Sequence, residues 1–367
     1  MRRLPILRGV AILAVVCHHA AGWGFTALIW AGWNQGSNPA YSDLIGTPAY
    51  YALVVIQQLA LFSVPAFLFI AGFFIAYAAR GNPPSLGWKV VRARITNLLW
   101  PYIVWSVVIY ASYLLQGADY SLLEFLQRLI TGNVIGAYFF VPLLCQFYLL
   151  SPLIVRLAKH RGSLLLITSA LIQLTMIGLW YLHLFGVPLP EPLQAISRAG
   201  TWFSGWWAFY FPFGIVCGFH IRRFQMGVAR FKRVLLIGVV LLGVLSILEF
   251  ETLYRFSQSE WLRSPMKFST WLYAAAFILF FIALDRRSIP FIRTFNQIGT
   301  RSYGIYLLHP KAMELLAKTM YHVTPWFLPH QILFQPVLVG LSLGLPLLLM
   351  AVVAKSPAKR YYSYLFG

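Results

Sequence analysis

The chain has 367 residues, 60% of them hydrophobic and only 10% charged, with a mean hydropathy of +0.72 and a formal charge of +20 at pH 7. A soluble domain carries roughly 25% charged residues, so a wettable globular surface is excluded and lipid must be the main solvent. The basic residues sit in short clusters between apolar stretches, which excludes the stripe or tail of a nucleic-acid binder and points to membrane orientation.

A helix needs about 20 apolar residues to cross the hydrocarbon core. Runs of that length lie near 4–24, 49–79, 95–116, 134–155, 163–185, 201–221, 233–252, 268–285, 298–319 and 332–354. They predict an all-α, polytopic transmembrane helix bundle of about ten spans. The first run follows Met1-Arg2-Arg3 as a signal peptide would, but it carries Arg8 and is followed by further runs, so it reads as a retained span. The second is too long for one straight crossing, and Pro65 in its middle predicts a kink. Between the third and fourth, residues 119–131 set Leu122, Leu123, Phe125, Leu126 and Leu129 among Glu124 and Arg128, the pattern of a short amphipathic helix on the outer surface. Cys17, Cys145 and Cys217 fall inside apolar runs without metal-ligand spacing and read as small buried hydrophobes. With no repeat and no loop long enough for a second domain, 1–367 reads as one transmembrane domain with no soluble C-terminal domain.

Lysine and arginine placement orients the bundle. With the N-terminus inside, the cytoplasmic segments hold 20 of the 29 basic residues: Arg2, Arg3, Arg80, Lys89, Arg92, Arg94, Arg156, Lys159, Arg161, Arg222, Arg223, Arg230, Lys232, Arg233, Arg286, Arg287, Arg293, Lys355, Lys359 and Arg360. The external segments hold only Arg128, Arg198, Arg255, Arg263 and Lys267. This bias predicts a multi-pass membrane protein with both ends in the cytoplasm.

The remaining four, Arg8, Arg301, Lys311 and Lys318, lie within predicted spans. Arg8 and His19 are eleven residues apart, three helical turns plus about 20°, so they share one face roughly 16 Å apart along the axis. A charge inside a span costs about 2.5–3.5 kcal/mol on insertion scales and normally faces the bundle interior. The alternatives are that Arg8 snorkels to the interface and His19 caps a neighbour's carbonyl. His18, rotated by about 100°, is expected to face elsewhere. Before the third span, Lys89, Arg92 and Arg94 form a basic cluster that could dock a phosphorylated donor or could be ordinary positive-inside charge. In the ninth span His309 sits near mid-membrane with Ser302 and Tyr306 on its face, as a functional or a structural histidine. Gln57, Gln58 and Gln146 read as interhelical hydrogen-bonding groups. His160, His183, His220, His322 and His330 lie in loops or at span ends, and a metal site is unsupported.

These segments resemble a known family. Arg8-Gly9-Val10-Ala11-Ile12 leading to His19 resembles the Arg-x10-His signature of acyltransferase family 3. Residues Phe67 to Ile75 are similar to its Phe-Ile-Ser-Gly-Phe segment, Phe139 to Pro152 to its fourth-span pattern, and Ser302 to Pro310 to its late-span motif. Ala71 stands in place of the usual Ser, Asn97 in place of a second Arg after Arg94, and Leu144 and Cys145 where many relatives carry an acidic residue. The resemblance implies an O-acyltransferase that takes an acyl group, usually acetyl, from cytoplasmic acyl-CoA and places it on a hydroxyl of a polysaccharide or lipid-linked sugar of the cell envelope. It implies His19 as catalytic histidine, Arg8 as its partner and Arg94 as the basic residue before the third span.

Coenzyme A would dock from the cytoplasm with its phosphates near Arg92 and Arg94, with Arg8 a further candidate, and the pantetheine arm would reach toward His19. His19 would either deprotonate the acceptor or form an acyl-histidine. Ser302, Tyr306 and His309 are the expected substrate-binding residues, with membrane lipids as surroundings. A transporter or flippase of a lipid or polysaccharide intermediate is the rival reading, since kinked spans and mid-membrane charges suit transport too.

Overall fold

The computed structural model describes residues 3–81, 86–257, 266–284 and 290–367, apart from the side chains of Arg222 and Arg223. Of the basic residues used for orientation, Arg2, Arg263, Arg286 and Arg287 lie outside the described residues. The described residues form α-helices, 3-10 turns and loops, with no strand. In chain order the helices are α1 (Leu4–Asn34), α2 (Pro48–Leu59), α3 (Ser63–Ala78), α4 (Trp88–Leu115), α5 (Leu122–Thr131), α6 (Phe140–His160), α7 (Gly162–Leu184) and α8 (Glu191–Ser197). They continue as α9 (Tyr210–Phe219), α10 (Ile221–Ala229), α11 (Lys232–Ser257), α12 (Phe268–Ala283), α13 (Ile292–Thr300), α14 (Ser302–Val323), α15 (Gln331–Lys355) and α16 (Tyr362–Phe366).

Seven stretches among the described residues are long and apolar enough to cross a membrane: Leu4–Asn34, Pro48–Ala78, Trp88–Leu115, Gly136–His160, Gly162–Leu184, Lys232–Ser257 and Gln331–Lys355. Their outer faces present large apolar side chains, such as Val240, Val244 and Leu248 on α11, which only lipid would wet favourably. The other three expected runs hold α9, α12 and α14. Both α9 and α12 are shorter, and α14 carries Lys311, Glu314 and Lys318. The chain is thus an all-α polytopic bundle.

Two pairs of helices approach to backbone contact because glycine leaves room. A Cβ on Gly9 of α1 would lie 1.9 Å from the Phe295 carbonyl oxygen, and one on Gly299 of α13 would lie 1.9 Å from that of Pro5. On α3 and α9, a Cβ on Gly72 would meet the Phe211 oxygen at 2.1 Å, and one on Gly214 the Phe69 oxygen at 2.0 Å. Small residues at such crossings let dispersion and backbone dipoles do what the hydrophobic effect cannot do within lipid.

The second run bends as expected, but upstream of Pro65. Pro65 has no N–H for the Leu61 carbonyl one turn earlier, so the chain tightens into a 3-10 turn at Ala60–Phe62. Freed polar groups there find partners: the Tyr273 hydroxyl donates to the Leu59 carbonyl at 2.9 Å. The ninth run is also broken, because Arg301 leaves helical geometry between α13 and α14. It is a junction residue, not a residue inside one continuous span.

Lys267 lies in the connection before α12, as expected, but its side chain does not face solvent. Its side chain is fully buried and its ammonium donates to Gln58 Oε1 at 2.5 Å and to the Ser246 carbonyl at 2.8 Å. Burying a cation is tolerable only with such donors satisfied. The amphipathic segment forms α5 as expected. Ser121 and Glu124 make a reciprocal capping box, Gly132 closes the helix in left-handed geometry, and Leu122, Leu123 and Leu126 stay exposed.

Candidate active site

The bend in the second run, the α13–α14 junction and the α1–α13 contact together shape one cavity of about 370 Å³. The bend turns Leu61, Ser63 and Val64 toward it, α3 adds Phe67, Ile70, Ala71 and Phe74, and α4 adds Arg94, Asn97 and Leu98. From α1 come Arg8, Val15, His18 and His19. The junction and α14 supply Thr300, Arg301, Ser302, Tyr303 and Tyr306. Arg8 and His19 therefore look into one space, as their spacing along a single helix predicts.

Arg8 is half-buried, with its guanidinium carbon 5.5 Å from the centre of the Phe74 ring. Arg94 and Arg301 are exposed at the cavity's rim. None of the three is ion-paired among the described residues, where the pairs are Arg255–Glu251, Lys311–Glu314 and Lys318–Glu314. Three unneutralised guanidinium groups around one mouth make an attractive field for a polyanion. Arg92, placed with Arg94 in the sequence-based donor site, is exposed and does not line the cavity. Two residues further along α4 is about 200° around the axis, which is why the neighbours part company.

At the inner end, three imidazoles stand in a row. The ring centres of His18 and His19 are 5.4 Å apart, and so are those of His19 and His309. His18 Nδ1 lies 3.2 Å from the Gln57 carbonyl oxygen. The carbonyl-capping role considered for His19 thus falls to His18, which also borders the cavity it was expected to turn away from. No described residue hydrogen-bonds the His19 ring. His309 is fully buried behind His19, with Nδ1 3.0 Å from the Ile305 carbonyl oxygen. Of the three α14 residues expected at the site, Ser302 and Tyr306 line the cavity and His309 does not. The Tyr306 hydroxyl donates to the Ala137 carbonyl at 2.7 Å and the Tyr138 hydroxyl to the Leu307 carbonyl at 2.6 Å, which locks α14 against the turn before α6.

A second cavity of about 330 Å³ reaches His19 from the other side, lined by Trp23, Tyr113, Ile135, Gly136, Pro310, Met313, Glu314 and Lys318. His19 and Ala137 are the residues that line both. Glu314 is held by Lys311 at 3.0 Å and Lys318 at 2.7 Å, and the Tyr113 hydroxyl donates to it at 3.2 Å. From the sequence, Arg301, Lys311 and Lys318 stand out only as charges within spans. The signal for Arg301 was its position directly before Ser302; for the two lysines it was Glu314 at one-turn spacing. Gln146, expected to bridge helices, ties α6 to the segment before α9 instead, donating to the Trp202 carbonyl at 2.7 Å and accepting from the Ser204 N–H at 3.1 Å. Among the described residues no three His, Cys, Asp or Glu side chains converge to hold a metal ion.

An imidazole free of hydrogen-bond partners among the described residues, reached by a cationic cavity on one side and a mixed polar and aromatic cavity on the other, can pass a proton to or from groups meeting at it. A family model described as an acyltransferase domain matches residues 2–352. The chain is similar to a protein of Bacillus subtilis (strain 168) named "Putative membrane-bound acyltransferase YfiQ", with 24% identity over 264 residues that cover 69% of this chain and 68% of that protein. No solved structure matches.

Proposed function

This chain belongs to acyltransferase family 3, and on that premise we propose that it is an O-acyltransferase moving an acyl group, acetyl in the simplest case, from cytoplasmic acyl-CoA to a hydroxyl of a polysaccharide or lipid-linked sugar. The observation that carries the reading is the shared cavity: Arg8, Arg94 and Arg301 at one end and His19 at the other. A coenzyme A thioester has its phosphates at one end and its reactive carbonyl at the far end of a thin pantetheine arm. Guanidinium groups bind phosphates through charge-assisted, often bidentate hydrogen bonds. The arm then runs past Phe67, Ala71 and Phe74 toward His19.

The acceptor enters by the second cavity, where Trp23 offers a face for a sugar ring and Glu314, Lys318 and Tyr113 offer hydrogen-bonding groups. His19 takes the proton of the acceptor hydroxyl as its oxygen attacks the thioester carbonyl. The carbon–sulfur bond breaks, and the thiolate leaves as coenzyme A after receiving that proton. Both ends of the chain in the cytoplasm, with the donor mouth on their side, complete the picture. Mass spectrometry of envelope glycans from cells with and without the protein tests the assignment: an added acetyl or larger acyl mass only in its presence supports it. Identical glycans together with altered lipid or glycan export would favour transport instead.

A further inference from the structure

His309 sits within α14 where Pro310 has removed a helical donor, and it is fully buried. Its Nδ1 faces the Ile305 carbonyl at 3.0 Å. A carbonyl can only accept, so in the neutral ring Nδ1 carries the proton and Nε2 is a bare lone pair. That Nε2 has no hydrogen-bond partner among the described residues. An orphaned acceptor in a buried site is costly and rare. The Nδ1 contact alone leaves a structural histidine half-satisfied, and Leu or Phe would fill the same volume without the orphan.

What stands next to it is His19, with ring centres 5.4 Å apart. Two imidazoles joined by an N–H···N bond of about 3 Å have ring centres about 5 Å apart. The separation therefore suits such a link, and His19, held by no other hydrogen bond, is free to turn its N–H toward the waiting lone pair. His309 borders neither cavity, so a proton shared with it is shielded from the solvent that both cavities admit.

We propose that His309 is the positioning residue of His19, its Nε2 lone pair accepting the His19 N–H and sharing that proton while the opposite nitrogen of His19 removes the acceptor's. The step balances. The hydroxyl proton passes to His19, the oxygen forms its bond to the thioester carbonyl carbon, and the carbon–sulfur bond breaks. The departing thiolate takes a proton from His19, and the proton shared with His309 returns to His19. His309 also selects the His19 tautomer, since only the form with a bare nitrogen toward the substrate has its N–H toward Nε2.

This inference rests on the transferase reading, and the test separates the two. Thiol release from acetyl-CoA is followed in membrane vesicles that carry the protein and its native acceptor, for the parent, His309→Gln and His309→Asn. The asparagine amide keeps a donor for the Ile305 carbonyl and deletes the distal lone pair; the glutamine amide restores a distal polar atom that cannot take a proton. Both variants lower the maximal rate about 10²-fold or more, while the half-saturating acetyl-CoA concentration changes by less than about threefold. Maximal rates within about twofold of the parent, or a rise only in the half-saturating concentration, overturn the role of His309. No thiol release by the parent sinks the transferase reading instead. Nitrogen NMR of histidine-labelled parent protein gives a reading that needs no variant: the account requires a bare Nε2 on His309, and a protonated Nε2 contradicts it.

Discussion

Arg8, Arg94 and Arg301 reach one cavity mouth from the first helix, the fourth helix and the α13–α14 junction, and no described carboxylate neutralises them. A hydrogen bond to a charged group contributes about 1.5–3 kcal/mol, and solvent screening at the exposed rim holds Arg94 and Arg301 to the low end. Replacing either with Gln should raise the half-saturating acyl-CoA concentration about tenfold with little change in maximal rate. Arg92→Gln, outside the cavity, should leave it unchanged. Kinetics across acyl-CoA concentrations check both; equal effects of Arg92 and Arg94 would mean that general surface charge, not the cavity, recruits the donor. Arg8 and His19 were legible in the sequence because one helix carries both and 3.6 residues per turn relates them without tertiary knowledge. His18 and His309 were less legible. Whether a histidine caps a carbonyl or keeps a bare nitrogen depends on the neighbouring α2 and on its own preceding turn, which periodicity does not reveal.

At the scale of elements, the ten apolar runs were readable from hydropathy because lipid demands continuous apolar length. The breaks inside them were not. Hydropathy runs straight through Arg301, yet the chain there closes α13 so that Gly299 can meet Pro5 and Gly9 can meet Phe295. Pro65 announced a bend, but its missing N–H acts one turn earlier, so the turn falls at Ala60–Phe62. The α1–α13 contact brings Arg301 to the cavity that Arg8 lines, and it has no room for a side chain. Gly9→Val or Gly299→Val must push the two backbones apart, at a cost of about 1–3 kcal/mol or more for overpacking. Such variants should lose thermal stability in detergent and weaken acyl-CoA binding together, as the mouth widens. Melting and binding measurements on the same samples check this, and a Gly299→Val protein with parental melting and affinity would show that the close approach does not set the site. Lys267 carries the same lesson. Its charge suggested a solvent-facing side chain in the loop before α12, whereas Gln58 of α2 and Ser246 of α11 give it a buried seat.

Across the whole molecule, the glycine crossings, the bent second run and the broken ninth run enclose two cavities that meet at His19 and Ala137. A donor and an acceptor can therefore approach the same imidazole from opposite ends of the bundle, with the basic mouth on the end that holds the first turn of α1 and the end of α16. In proteoliposomes of known orientation, acetyl-CoA offered only to the face bearing that basic mouth, with sugar acceptor on the other, is the direct trial of this arrangement. The account predicts thiol release by the parent protein, none when acetyl-CoA is offered to the opposite face, and none from His19→Ala despite unchanged acetyl-CoA binding. Full turnover by His19→Ala would contradict it.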